Sequence, residues 1–245
     1  MPKHRGLKGS TLKLLGVLSM LIDHMGVVLI ERGILKSAEP LKMAQILQTE
    51  TGRRWWAADR VCRCVGRLAF PIFVFFLVEG FFYTRDKRRY GLRLLLFALL
   101  AELPFDLALS GRWVDPAYQN VLFTMLFAFL TLWGLTASAR QPLLQMLWVL
   151  AGCGAAEVCR TDYGAFGILL AVGLYWTRGG ERQLALGAAL SALESIRTWG
   201  MAALAFIPLA FYDGQKGRWP GRYFFYVFYP AHLFMLYLVR EHFLL

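Results

Sequence analysis

Charge is scarce in this sequence. Of 245 residues, 18% are Asp, Glu, Lys or Arg and 58% are hydrophobic, too apolar a balance for an ordinary water-soluble domain. Cysteine is scarce too, with four residues. Cys62-x-Cys64, Cys153 and Cys159 have no zinc-like spacing with histidine, so no metal centre is predicted, and the cysteines read as small apolar fillers with unpaired thiols. There is no GxxxxGK[ST] loop and no GxGxxG after a strand, which excludes a soluble nucleotide fold. No serine stands in G-x-S-x-G, so a nucleophile-elbow hydrolase has no support. Internal repeats, low-complexity tracts and separable soluble domains are missing as well, and residues 1–245 read as a single integral membrane domain.

What is abundant is apolar sequence in runs near bilayer length. A spanning helix needs about 20 residues, with about 17 as the lower limit. Candidate runs cover 14–30, 64–83, 91–109, 119–136, 142–159, 163–177, 183–196, 199–212 and 223–240. The seventh and eighth are short and separated only around 195–198, so they form either two thin spans or one re-entrant pair. The expected fold is an all-α polytopic transmembrane bundle of about 8–9 segments. The N-terminal run superficially resembles a secretory signal. However, it carries Asp23 and His24 and continues to Ile30 without an Ala-x-Ala exit, so it reads as a retained first helix.

The net charge of +11 is distributed between the apolar runs rather than along a continuous stripe, which argues against a nucleic-acid partner. It fits the positive-inside pattern. With the N-terminus cytoplasmic, the inner segments hold Lys3, Arg5, Lys8, Lys13, Arg85, Lys87, Arg88, Arg89, Arg93, Arg140, Arg178, Arg182, Lys216, Arg218 and Arg222. The outer ends after the first loop hold only Arg112, Arg160, Arg197 and Arg240. The exception is the first outer loop, 31–63, with seven basic and four acidic residues. With Trp55-Trp56, it is expected to lie in the interface as a short amphipathic helix.

Titratable groups inside a bilayer persist mainly where they face a pore, a partner or a reaction site. On this topology Asp23, His24, Arg67, Glu102, Asp106, Asn120, Glu157 and Asp162 fall in or beside the outer half, with His232 near the middle of the last span and Glu79 near the inner side. An imidazole beside a carboxylate is a ready proton acceptor near neutral pH. Glu102 and Asp106 lie one turn apart on one helix face, and two readings stand open. They are either a carboxylate pair neutralised by Arg67 that locks helices together, or a group that holds a proton or orients His24.

Several stretches carry a resemblance. Residues 13–26, KLLGVLSMLIDHMG, and 66–81, GRLAFPIFVFFLVEGF, followed by a basic turn, are similar to the opening helices of the TraX family of bacterial membrane proteins. So are Ala101-Glu102-Leu103-Pro104-Phe105-Asp106, Asn120-Val-Leu-Phe-Thr124, Asp162-Tyr163-Gly164 and the stretch from Phe225 through Tyr229-Pro230-Ala-His232. The likeness runs from the first span to the last. It implies a multi-pass protein of the bacterial inner membrane that transfers an acyl group. The founding member is associated with N-terminal acetylation of conjugative pilin, and the second helix also resembles that of acyltransferases carrying acetyl from cytosolic acetyl-CoA across the membrane. The acceptor implied is an amine or hydroxyl at the outer face, on a pilin N-terminus or an envelope glycan or lipid.

Residues and resemblance agree on roles. His24 is the expected base, with Asp23 fixing its tautomer or stabilising the imidazolium, or Glu102 or Asp106 orienting it instead. Arg67 or Asn120 is expected to stabilise the oxyanion. Arg85, Lys87, Arg88, Arg89 and Arg93 are expected to receive cofactor phosphates. Glu79, Asp162, Tyr163, Tyr229 and His232, inside the matching motifs, are expected on the substrate side. The rival reading is a proton-coupled transporter with a path through Asp23, His24, Glu102, Asp106 and Glu157. A third is a non-catalytic assembly partner in which the polar groups serve only as helix glue.

Overall fold

A computed structural model describes residues 6–217, 221 and 223–244. Lys3, Arg5, Arg218 and Arg222, which enter the orientation count, lie outside the described residues. Among the described residues, regular structure is helical, apart from isolated bridges between Leu7 and Tyr212 and between Gln119 and Thr161. Each of the nine apolar runs contains a helix.

α1, Gly9–Met25, passes directly into a π-helical stretch, Gly26–Ile34. The first N–H groups of α1, which have no partner within the helix, donate to chain carbonyls: Gly9 to Gln215 at 2.8 Å and Ser10 to Lys216 at 3.0 Å. Two helices, α2 (Pro40–Gln48) and α3 (Glu50–Gly66), follow. A short turn leads into α4, Ala69–Tyr83. Segments 9–34 and 50–83 are long and apolar enough to cross a membrane.

The expectation of a 31–63 loop with one short interfacial helix is therefore corrected. Thr49 caps α3 by accepting from the Gly52 N–H at 2.9 Å. α3 then packs along α1 and its π-helical extension, so the second apolar segment begins as part of a 34-residue helical unit.

The remaining elements are α5 (Lys87–Leu109), α6 (Val121–Ala137), α7 (Pro142–Val158), α8 (Gly164–Trp176) and α9 (Glu181–Glu194). Short 3-10 turns and α10 (Phe206–Ala210) return against α9, and α11 (Phe224–Phe243) completes the described chain. The reversal between α9 and the returning helical segment 201–210 is made at Trp199 and Gly200, both at positive φ. At 14 residues, α9 is about 21 Å long, short of the roughly 30 Å hydrocarbon core.

Helix pairing follows a ring: α1 on α4, α4 on α8, α8 on α6, α6 on α5, α5 on α11, and α11 back on α1. α4 is the hub, with most of its side chains buried. Its Phe81 meets Phe129 of α6 edge-on at 5.4 Å between ring centroids. Arg240, counted from sequence among the outer-end charges, is buried instead. Its guanidinium caps the C-terminus of α5, donating to Ala108 O at 2.7 Å and Leu107 O at 3.0 Å.

The exterior is apolar. α7 buries only Ala156 and leaves Leu143, Met146, Leu147, Leu150 and Val158 exposed, while α5 exposes Leu92, Leu96, Leu99, Leu100 and Leu103. In water such faces would be an aggregation surface; lipid matches them.

Candidate functional site

The ring of helices surrounds a cavity of about 190 Å³. At one end it is lined by Lys13, Tyr90, Phe225 and Tyr226, and at the other by Asp23, His24, Gly66, Asp162, Tyr163 and Tyr229. Phe73, Leu77, Leu94 and Met125 form apolar wall between them. α1 supplies Lys13, Met20 and His24 because spacings of seven and eleven residues return to nearly one helix face, with Asp23 at its edge. Eleven residues of helix place His24 about 16 Å along the axis from Lys13.

His24 and His232 meet at the deep end. Nδ1 of His24 lies 2.6 Å from Nε2 of His232, and Nδ1 of His232 lies 2.7 Å from the Phe228 carbonyl oxygen. His24 is half-buried and lines the cavity. His232 is buried behind it, with its ring stacked on Phe228 at 4.7 Å. Tyr229, one turn before His232, places its ring 6.0 Å from that of His24.

Asp23 faces elsewhere. Its Oδ2 accepts from Nη1 of Arg63 at 2.7 Å, while Oδ1 is buried without a hydrogen-bond partner among the described residues. Adjacent helix positions diverge by about 100°, so the carboxylate that neighbours His24 in sequence does not orient it; His232 does. Gly66 permits this arrangement, since a Cβ there would overlap the Asp23 side chain. Gly66→Ala is accordingly expected to destabilise the protein by about 1–3 kcal/mol through overpacking, read as a lower apparent Tm of the purified protein in detergent.

The far wall is fastened by a loop-to-loop zipper. Gln119 N–H donates to Arg160 O at 3.0 Å, and Asp162 N–H donates to Gln119 O at 2.9 Å. The Tyr118 hydroxyl donates to Asp162 Oδ1 at 2.5 Å, and Thr124 donates to the Asp162 carbonyl. Burial, reinforced by the Asp162 carboxylate, pushes the Tyr118 hydroxyl above the usual tyrosine range, which keeps it a donor. Tyr163, at φ 65°, stacks on Phe70 at 3.6 Å.

Several expected partnerships take another form. Arg67 does not meet Glu102 or Asp106; its guanidinium lies 3.6 Å from Glu194 at the end of α9. Asn120 donates to Glu102 and to Ala98 O at 2.9 Å, and accepts from the Leu122 N–H at 3.0 Å, so it ties α5 to α6 while capping α6. Asp106 accepts from the Asp115 N–H at 2.9 Å, and Glu157 accepts from the Ala165 N–H at 2.7 Å. These carboxylates close loops and helix ends rather than facing His24. Glu79 pairs with Arg178 at 2.7 and 3.3 Å, outside the cavity lining.

The basic turn is likewise divided. Asp86 caps α5 by accepting from the Arg89 N–H at 2.9 Å, and its carboxylate pairs with the Arg89 side chain at 3.0 Å. Lys87 lies over Phe81 at 4.2 Å, and Arg85 and Arg88 are exposed. Of the five expected phosphate ligands, Arg93 comes nearest to the cavity, through its contact with Tyr90 at 5.4 Å. Lys13, absent from the sequence-based site, lies at the end of the cavity away from His24, with its ammonium 4.9 Å from the Phe76 ring and 5.7 Å from Phe225. Its recurrence on the His24 face of α1 was the available signal. Arg63 had none, because it stood in an expected loop.

Comparison with known proteins gives two matches. The family model described as TraX protein matches residues 8–240. A probable fimbrial assembly protein, FimC of serogroup H1 from Dichelobacter nodosus, is 34% identical over 199 residues, covering 71% of this chain and 80% of that protein. No solved structure matches.

Proposed function

The chain belongs to the TraX family of membrane proteins, and on that premise we propose that it is a multi-pass acyltransferase of the bacterial inner membrane. It takes acetyl from cytosolic acetyl-CoA and delivers it to an amine or hydroxyl at the outer face. The fimbrial assembly role in the relative's name favours a pilin N-terminus over a glycan or lipid as acceptor. The N-terminus is cytoplasmic, so the Lys13 end of the cavity faces the donor and the Asp162 end faces the acceptor.

The observation that carries this reading is the cavity joining Lys13 and Tyr90 to His24. Its axial reach of about 16 Å suits an extended pantetheine arm, with the phosphates left among basic groups and the thioester brought to the imidazole. Lys13 and Arg93 receive phosphate charge; the more exposed Arg85, Lys87, Arg88 and Arg89 add long-range attraction. His24 takes the acceptor's proton as the nitrogen or oxygen attacks the thioester carbonyl. The new bond forms, the carbon–sulfur bond breaks, and the proton passes to the departing thiolate. Arg67, paired with Glu194 at 3.6 Å and outside the cavity lining, would have to leave that carboxylate to serve the oxyanion. A transport path would need Glu102, Asp106 and Glu157 in line with His24, whereas each is held in a local contact.

Isothermal titration of acetyl-CoA into the detergent-purified protein tests the donor site. Lys13→Ala/Arg93→Ala is expected to weaken binding about tenfold or more, while His24→Ala leaves it intact. Absence of acetyl-CoA binding by folded protein would sink the transferase reading.

A further inference from the structure

We infer that His232 is a positioning residue that fixes the tautomer of His24 and shares the proton His24 accepts. A carbonyl oxygen can only accept a hydrogen bond. The Phe228 carbonyl oxygen lies 2.7 Å from Nδ1 of His232, so this nitrogen carries a hydrogen and donates it. A neutral imidazole has one donor and one acceptor; Nε2 of His232 is therefore the acceptor. Its neighbour at 2.6 Å, Nδ1 of His24, must then donate. The remaining lone pair of the two rings is at Nε2 of His24, on the ring that lines the cavity.

The sequence of bonds has a direction. A proton arriving from the cavity binds Nε2 of His24, and the Nδ1 proton can shift across 2.6 Å to Nε2 of His232. The pair thus holds one added proton over two rings, and returning it restores the starting tautomers without rotation of either ring. No atom is gained or lost. The geometry keeps this relay closed: beyond His232 stands a carbonyl, which accepts no further proton, so the charge goes back only through His24. Of the charged groups, Arg63 of α3 acts on His24, while Asp23 of α1, turned to Arg63, Asp162 of the α7–α8 loop and Tyr229 of α11 line the same end of the cavity.

His232 is also the residue whose substrate-side assignment from sequence the geometry replaces. It is buried at 2% exposure, both of its ring nitrogens are engaged, and it is absent from the cavity lining. It acts through His24 rather than on the acceptor.

The tautomer assignment stands on geometry alone, while its catalytic consequence rests on the acyl-transfer reading; the two are tested apart. Diethyl pyrocarbonate acylates an unprotonated ring nitrogen. Applied to the full-length protein at neutral pH, with modified peptides identified by mass spectrometry, it is expected to label His24 and spare His232. Equal labelling of both, labelling of His232 alone, or labelling of neither overturns the tautomer assignment. For the second part, His232→Leu removes the acceptor that holds the His24 tautomer. It is expected to slow turnover about a hundredfold, since wrong-tautomer losses at a catalytic histidine reach about 10⁴, with acetyl-CoA affinity unchanged. His232→Gln, whose amide oxygen can accept from Nδ1 of His24, is expected to restore most of the turnover. A His232→Leu protein with wild-type turnover, or a Gln variant as slow as Leu, overturns the positioning role. Selective labelling of His24 in a protein that binds no acetyl-CoA would keep the histidine pair and reject the transferase.

Discussion

On the acyl-transfer reading, His24→Ala is expected to retain acetyl-CoA binding and to lose transfer by about 10²–10⁴-fold, the usual contribution of a positioned general base. The substitution removes the ring nitrogen at the cavity and also the donor to His232, but it takes away no charge that holds helices together. Asp23 keeps Arg63, and the α5–α11 contact keeps the Arg240 cap. Protein amount in the membrane is therefore expected to stay near wild type. The check is a single preparation measured three ways: acetyl transfer, acetyl-CoA affinity and yield. A fall in yield parallel to the fall in activity would return the polar cluster to the role of helix glue. Unchanged transfer would remove His24 from the mechanism.

Arg63→Ala is expected to give the opposite profile, a stability loss of about 3 kcal/mol. Both members of the Asp23–Arg63 pair are about one-fifth exposed at the side chain, and removal of one leaves the other charged and half-desolvated. The lower end of the range for a broken buried pair applies, because each retains some access to solvent. The measurement is apparent Tm in detergent together with protein recovered from membranes. Asp23→Asn/Arg63→Gln, which removes both charges and preserves hydrogen-bonding shape, is expected to recover much of the loss. If it recovers stability but not transfer, Asp23 also has a role at the cavity, consistent with its buried Oδ1, which has no partner among the described residues. If Arg63→Ala is as stable as wild type, the ion pair does not hold α3 against α1.

The helices were legible because apolar runs near bilayer length leave few other structures, and each of the nine runs contains one. His24 was legible for the same reason: a titratable ring is conspicuous among Leu, Val and Met. Its partner was not. His232 is 208 positions away, and no pattern along a single chain pairs the first helix with the last. Glu102 and Asp106 were visible as a face, since i and i+4 are neighbours on a helix. Their contacts depended on where the loop after α5 turns back, which periodicity does not encode. Arg63 was hidden by a mistaken boundary. The region 31–63 carries too much charge to read as membrane, yet Thr49 starts a helix there that runs almost unbroken into the apolar segment. Arg67 was read as a neutraliser of Glu102 and Asp106, but its carboxylate is Glu194 of α9, whose end was read only as a break in hydropathy.

Closure of the helix ring by α11 has a consequence for biogenesis. The ribosome delivers His24 in α1 and His232 only in α11, so until α11 is made the pair is incomplete. α11 also brings Arg240 to the waiting carbonyls at the end of α5. Docking of this helix therefore joins two events, satisfaction of the α5 terminus and assembly of the imidazole pair. A chain stalled before residue 224 would hold an open cleft with an unset histidine. The histidine pair is therefore set only once α11 is in place.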